Sequence, residues 1–299
     1  MRWSLALVGC AAAAGPCEDA LDWSLGPHVP YSSATLQRSI TRIGDLQRLR
    51  PVLAKLGSPQ AVVTVLVVGG SIEKGAGPPG TPCRGCAGRL WQDIFFAWLH
   101  SAFPARLRLF THLLSGAALQ IHWQRLPEVA LQVKPDLVVV QTSLYDPLHG
   151  RTKAYRMNQT PVFPGEEVFI REVLQLPGAP AVIWLSLMSG KAALADWDYG
   201  TNQEPDSMLT EYYDVPQVSV RGAWYNHLPF RPEQIWTPDL LHPRLLGHKM
   251  IAVTLANFVC YEFLHACHAS EEPPAELPEP LFYVPLKGNN HTPARAASR

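Results

Sequence analysis

Apolar positions follow two different periods along this chain. Five short runs are apolar almost without interruption. They are Ala61–Val68 (broken only by Thr64), Leu107–Phe110, Leu137–Gln141, Ala181–Leu187 and Gln217–Val220. Runs of this length, rich in β-branched residues and bounded by turn signals, predict strands buried on both faces of a parallel sheet. Between them, apolar residues recur at helical spacing. Ile43, Leu46, Leu49, Val52, Leu53 and Leu56 predict an amphipathic helix over 39–56, with Pro51 bending it or starting its second half. Leu90, Ile94, Phe95, Trp98 and Leu99 predict another over 89–103. Further helices are expected over 120–132, 166–176 and 245–265. Residues 18–40 read as an arm or loop, 76–88 as a Gly- and Pro-rich loop, and 189–214 as a long polar and aromatic excursion. Strands alternating with helices imply an α/β fold, a mostly parallel five-stranded sheet covered on both faces.

The strand ends carry the chemistry-bearing residues. Val68 runs into Gly69-Gly70-Ser71, so Ser71 stands at the carboxyl end of a central strand, where open α/β sheets bind their ligands. Gly116 follows the second run, Tyr145-Asp146 the third, and Asp239-Leu240-Leu241-His242-Pro243 the fifth. Loops after parallel strands emerge on one edge, so these residues can meet. A serine hydroxyl is a weak nucleophile until a neighbouring base takes its proton, and His242 is suited to that near neutral pH. Asp239, three residues earlier, is placed to accept the other imidazole N–H and hold its tautomer. The competing reading of the same residues is a serine in a glycine turn and a histidine satisfied locally at a helix start.

These blocks, in this order, resemble the SGNH/GDSL hydrolase superfamily over roughly residues 40–265. Besides Gly69-Gly70-Ser71 they include Gly75, Gly77, Gly116, Asp146 and Leu246-Gly247-His248. The resemblance implies a flavodoxin-like three-layer α/β/α fold. It also implies Ser71 as nucleophile, His242 as base and Asp239 as orienting carboxylate. The Ser71 and Gly116 backbone N–H groups would form the oxyanion hole. The family's third block usually presents Asn before Asp, and here Tyr145 stands in that place. The implied activity is hydrolysis of an O-acyl ester, such as an acetyl group on carbohydrate. An O-acyltransferase using the same serine, or a non-catalytic domain binding a glycan or a protein, are the alternatives.

Composition narrows the rest. The 299 residues carry 25 Lys+Arg and 25 Asp+Glu, so no net field draws in nucleic acid, and no apolar run reaches membrane-spanning length. The expected partner is a small-molecule or carbohydrate ester. No cofactor or metal is expected, and the oligomeric state is open. Met1-Arg2, an apolar run over 3–14 and the small residues ending it fit a secretory signal over 1–17, and an ordinary apolar helix equally. The first reading places the chain in the secretory lumen or outside the cell, the second in the cytoplasm. Residues 18–269 then form one domain, and 270–299 a Pro-rich, disordered tail. One Cys-x-x-Cys, Cys83 to Cys86, leaves disulfide, redox motif and metal site open. Of these, a structural staple or no role fits best, because no second pair stands nearby in the sequence. His112, His122 and His248 read as local hydrogen-bonding residues.

Overall fold

The computed structural model describes residues 31–76, 83, 86, 88–115, 119–142, 164–190, 203–224, 230–266 and 276–281. In chain order the elements are α1 (Ser33–Ser39), β1 (Ile40–Arg42), α2 (Leu46–Leu56), β2 (Val62–Gly69), α3 (Trp91–Ala102), β3 (Arg106–Leu113), α4 (Leu119–Val133) and β4 (Leu137–Val140). They continue as α5 (Pro164–Leu174), β5 (Ala181–Ser186), α6 (Gln203–Tyr212), β6 (Gln217–Ser219), α7 (Val220–Trp224), α8 (Pro232–Ile235) and α9 (Leu245–Ala266).

The sheet order is β1-β6-β5-β4-β2-β3. The five strands from β2 to β6 are mutually parallel, and β1 is antiparallel at the edge. Counted from β2, the parallel strands run 2-1-3-4-5, the flavodoxin-like order. Its chain direction reverses between β2 and β4, and the crevice outside their carboxyl ends is where such sheets bind ligands.

Strand side chains alternate between two helical layers, as the pleat requires. Val63, Val65, Val67, Leu137, Val139, Ile183 and Leu185 face α2, α3 and α9. Leu66, Val68, Val138, Val140, Val182 and Trp184 face α4, α5 and α6. Both sets are buried, which explains runs with no polar alternation. Helix α9 is apolar on every side because it is enclosed: Met250, Ile251, Ala252, Leu255, Phe258 and Val259 sit in the first layer, while Val253 packs on Leu36.

Several segments differ from the sequence expectation. The run Leu107–Phe110, expected to be buried on both faces, belongs to β3, which lies at the sheet edge and is largely exposed or half-buried. The helical run over 39–56 is divided: Ile40–Arg42 pairs with β6, and α2 begins only at Leu46. Gly44, at φ +72°, makes the break, and the Asp45 carboxylate caps α2 by accepting from Gln47 N–H at 2.8 Å. A three-residue edge strand is too short to show a period. The arm before it holds α1, and the 189–214 excursion holds α6, whose Leu209 and neighbouring Tyr213 are buried. Residues 276–281, expected to be a disordered tail, lie against the body: Arg171 donates to Pro278 O at 2.6 Å, and Leu277 packs on the second layer. No helix among the described residues is long and apolar enough to cross a membrane.

Glu262 on α9 is fully buried, and its carboxyl oxygens have no hydrogen-bond partner among the described residues. Burial pushes its pKa up to about 7. A pKa raised in the folded state gives stability that is complete below the ordinary value of 4.5 and lost as pH rises through about 7. Glu262→Gln is therefore expected to stabilise the protein at pH 8 by roughly 1–3 kcal/mol and to change it little at pH 4, read from thermal melts at the two pH values.

Candidate active site

Strand β2 ends at Gly69, and the chain turns at once into a single helical turn. Lys74 N–H donates to Gly70 O at 3.2 Å, Gly75 N–H to Ile72 O at 3.0 Å and Ala76 N–H to Ser71 O at 2.9 Å. Gly70 occupies the position of a helix N-cap, and Glu73, three residues on, accepts the Gly70 N–H on Oε2 at 2.7 Å. This is the reach-back half of a capping box. Ser71 is then the first helical residue, where a backbone N–H has no intrahelical acceptor. Gly75, at φ +70°, closes the turn. Ser71 is half-buried, with its side chain toward the crevice edge.

The segment from Trp236 to Arg244 supplies the second half. Its ends are tied by a bridge between Trp236 and Pro243, by Arg244 N–H to Ile235 O at 2.7 Å and by Arg244 Nε–H to Trp236 O at 2.8 Å. Thr237 N–H donates to His242 O at 2.8 Å. Leu240 takes a left-handed conformation (φ +56°), and its carbonyl accepts from Gly190 N–H at 2.7 Å. Gly247 lets α9 approach this loop: a Cβ there would stand 2.7 Å from Ile235 O and 2.9 Å from Pro243 Cβ.

The two turns meet. Ser71 Oγ lies 2.9 Å from His242 Nε2, and His242 Nδ1 lies 2.7 Å from Asp239 Oδ2. Asp239 Oδ1 accepts from Thr237 Oγ1 at 2.7 Å, Leu241 N–H at 2.9 Å and His242 N–H at 3.1 Å. Partial burial works against the Asp239 charge. The hydrogen bonds from Thr237, His242 and the Leu241 and His242 amides outweigh it and hold the pKa at about 2. A fixed carboxylate on Nδ1 makes that nitrogen the protonated one and leaves Nε2 as acceptor for the Ser71 hydroxyl.

Behind His242 sits His248, fully buried, with Nδ1 accepting from Trp91 N–H at 3.3 Å. Burial, then the neighbouring His242, lower its pKa to about 4, so it adds no charge to the site at neutral pH. The Cys83 and Cys86 sulfurs and one His248 nitrogen lie within 4.8 Å of one another. The sulfurs are joined as a disulfide, and Cys83 N–H donates to Gly75 O at 2.8 Å, which ties the disulfide to the turn that carries Ser71. Nothing in the sequence spacing brings His248 to these cysteines; it arrives with α9.

Of the residues singled out in the sequence, Ser71, Asp239 and His242 come together. Gly116, Tyr145 and Asp146 lie outside the described residues. Glu73, with no assigned role in the sequence reading, belongs to the site. Its spacing from Gly70 was the available signal.

No protein-family model matches the sequence, and no curated protein matches it. Solved structures do. A two-domain esterase active on acetylated mannans aligns with TM-score 0.66 at 20% identity over 83% of this chain. A two-domain esterase active on acetylated mannans, co-crystallized with mannopentaose, gives 0.62 at 22% identity, again over 83%. The chain spans 61% and 60% of the length of those two chains. An acetyl xylan esterase variant from Geobacillus stearothermophilus gives 0.51 at 19% identity, covering 66% of this chain and 94% of the other. What these structures share with the chain is the fold, the three-layer α/β/α arrangement that the sequence blocks led one to expect. An alpha/beta hydrolase enzyme from the metagenome of Lake Arreo, Spain, aligns similarly, at TM-score 0.52 and 21% identity.

The Asp239 hydrogen bonds have a pH consequence. A depressed carboxyl pKa gives stability that is complete above the ordinary value and lost as pH falls toward about 2. Thr237→Val removes one donor. The Asp239 carboxyl, followed by carbon-13 NMR, is then expected to titrate at a higher pH than in wild type.

Proposed function

We propose that this chain is a serine ester hydrolase. The observation that carries this reading is the continuous line from Ser71 Oγ through the His242 ring to Asp239 Oδ2, with contacts of 2.9 and 2.7 Å at the carboxyl edge of the sheet. Ser71 Oγ attacks the acyl carbonyl carbon as its proton passes to His242 Nε2. The tetrahedral intermediate collapses, the C–O bond to the alcohol breaks, and the alcohol leaves with the proton from His242. A water then attacks the acyl-serine with His242 as base, and the acid departs, returning Ser71 to its starting state. Asp239 remains ionised and steadies the imidazolium formed at each step. The Ser71 backbone N–H, first in its helical turn, is suited to the developing oxyanion. In this reading the Gly116 N–H is the second donor, with Tyr145 standing where the family usually places Asn.

The substrate class we propose is an O-acetyl ester on carbohydrate. Its support is the company the fold keeps: a neighbour active on acetylated mannans, another form co-crystallized with mannopentaose, and an acetyl xylan esterase. Transfer of the acyl group to a sugar hydroxyl instead of water uses the same first half-reaction, and product analysis with an acceptor present separates the two. A domain that binds glycan without turnover would bind equally well with Ser71→Ala.

Wild-type protein is expected to release acetate from acetylated manno- or xylo-oligosaccharides, measured by enzymatic acetate assay. Ser71→Ala and His242→Ala are expected to abolish release, and Asp239→Asn to slow it by about 10²–10⁴-fold. Undiminished release by Ser71→Ala would refute the mechanism.

A further inference from the structure

We propose that Glu73 is the positioning residue of the nucleophile turn, setting where Ser71 stands relative to His242. This rests on the reading of Ser71 as nucleophile.

Glu73 is buried beneath the turn, two residues from Ser71. Its carboxylate gathers donors from three elements. Gly70 N–H, at the end of β2, donates to Oε2 at 2.7 Å. The Trp91 indole N–H, at the start of α3, donates to Oε1 at 2.8 Å. The Gln141 amide, just past β4, donates to both oxygens at 2.9 and 3.1 Å when its nitrogen faces the carboxylate, the orientation in which each group has a partner. The Glu73 backbone carbonyl accepts from the Gln92 side chain at 2.5 Å. The turn is thereby fastened to β4 and to α3 as well as to its own strand.

The site is filled to contact. A Cβ on Gly69 would meet Glu73 Oε2 at 2.5 Å, so Gly69 is the surface against which this carboxylate is pressed. Gly70 has no side chain to hold its turn, so beside the 3.2 Å bond from Lys74 N–H to its carbonyl, the shorter bond from its own N–H to Glu73 restrains it. Ser71 is the next residue. Loss of that restraint lets the turn relax, and reacting groups displaced by about 1 Å lose on the order of 10² in rate. Glu73 is buried, and its hydrogen bonds run to Gly70, Trp91 and Gln92 around the turn, so it acts through the placement of Ser71.

The test is Glu73→Gln, which keeps size and shape. One oxygen becomes an NH₂, which cannot accept from either Gly70 or Trp91. With p-nitrophenyl acetate, kcat is expected to fall roughly 10–100-fold with KM within about twofold of wild type. A purely packing role would lower the melting temperature and leave kcat of the folded fraction intact. Gln141→Met, a milder change that removes one donor, is expected to lower kcat several-fold and keeps the test open if Glu73→Gln fails to fold. The nitrogen-15 signal of His242 Nε2 is the readout independent of turnover. In Glu73→Gln or Gln141→Met it should move in the same direction as in Ser71→Ala, because the Ser71–His242 bond lengthens in each. Unchanged kcat and an unchanged His242 signal in the folded variants would overturn the proposal. A wild type with no turnover but a displaced His242 signal in the variants would refute the hydrolase reading and uphold the positioning role.

Discussion

A single hydrogen bond joins the two halves of this site: Ser71 Oγ to His242 Nε2, across 171 positions of sequence. Such a contact survives only if both of its ends are held by more than the bond itself, since one hydrogen bond contributes about 1 kcal/mol net, far less than the cost of ordering two loops. The sheet supplies the coarse placement. β2 is central, paired with β3 on one side and β4 on the other, so its carboxyl end opens into the crevice where the strand order reverses. Helix α9 packs along α3 and brings the loop before it over that crevice.

The two ends are then stiffened by different means. On the histidine side the restraint is local. Asp239 and His242 share one turn, the carboxylate takes the backbone N–H of His242 as well as its ring N–H, and Thr237 closes the ring of bonds. On the serine side it is tertiary, because a Gly-Gly turn has no side chains to fix it. Glu73 provides the fixing by collecting donors from β2, α3 and β4 around one buried carboxylate. A buried carboxyl group of this kind is tolerable in the interior because its oxygens are satisfied by N–H donors. The neutral His248 and the Cys83–Cys86 disulfide complete the packing behind the turn without adding a competing charge.

This division explains what the sequence made visible. Strands β2, β4 and β5 were legible because burial on both faces removes nearly every polar position, as in Val65–Val68 and Leu137–Val140, whereas the edge strand β3 showed only its short apolar stretch Leu107–Phe110. Ser71 was legible from its place just after β2, and Asp239 and His242 from their local spacing to each other. The edge strand Ile40–Arg42 was not, since three residues carry no period and its neighbour α2 lent it a helical one. Helix α6 was obscured by its polar residues, which include the exposed Glu204 and also the buried Asp206 and Thr210. Glu73 was hidden for a different reason. Nothing in a charged residue after a glycine turn announces burial; its partners Trp91 and Gln141 come from elements that only the fold brings near.

The most direct measurement of the central claim is covalent trapping by a fluorophosphonate, located by peptide mass spectrometry. The account predicts one phosphonyl adduct, on the peptide containing Ser71, that disappears in Ser71→Ala and in His242→Ala. Folded wild type that takes up no label, or carries it on another residue, would contradict it.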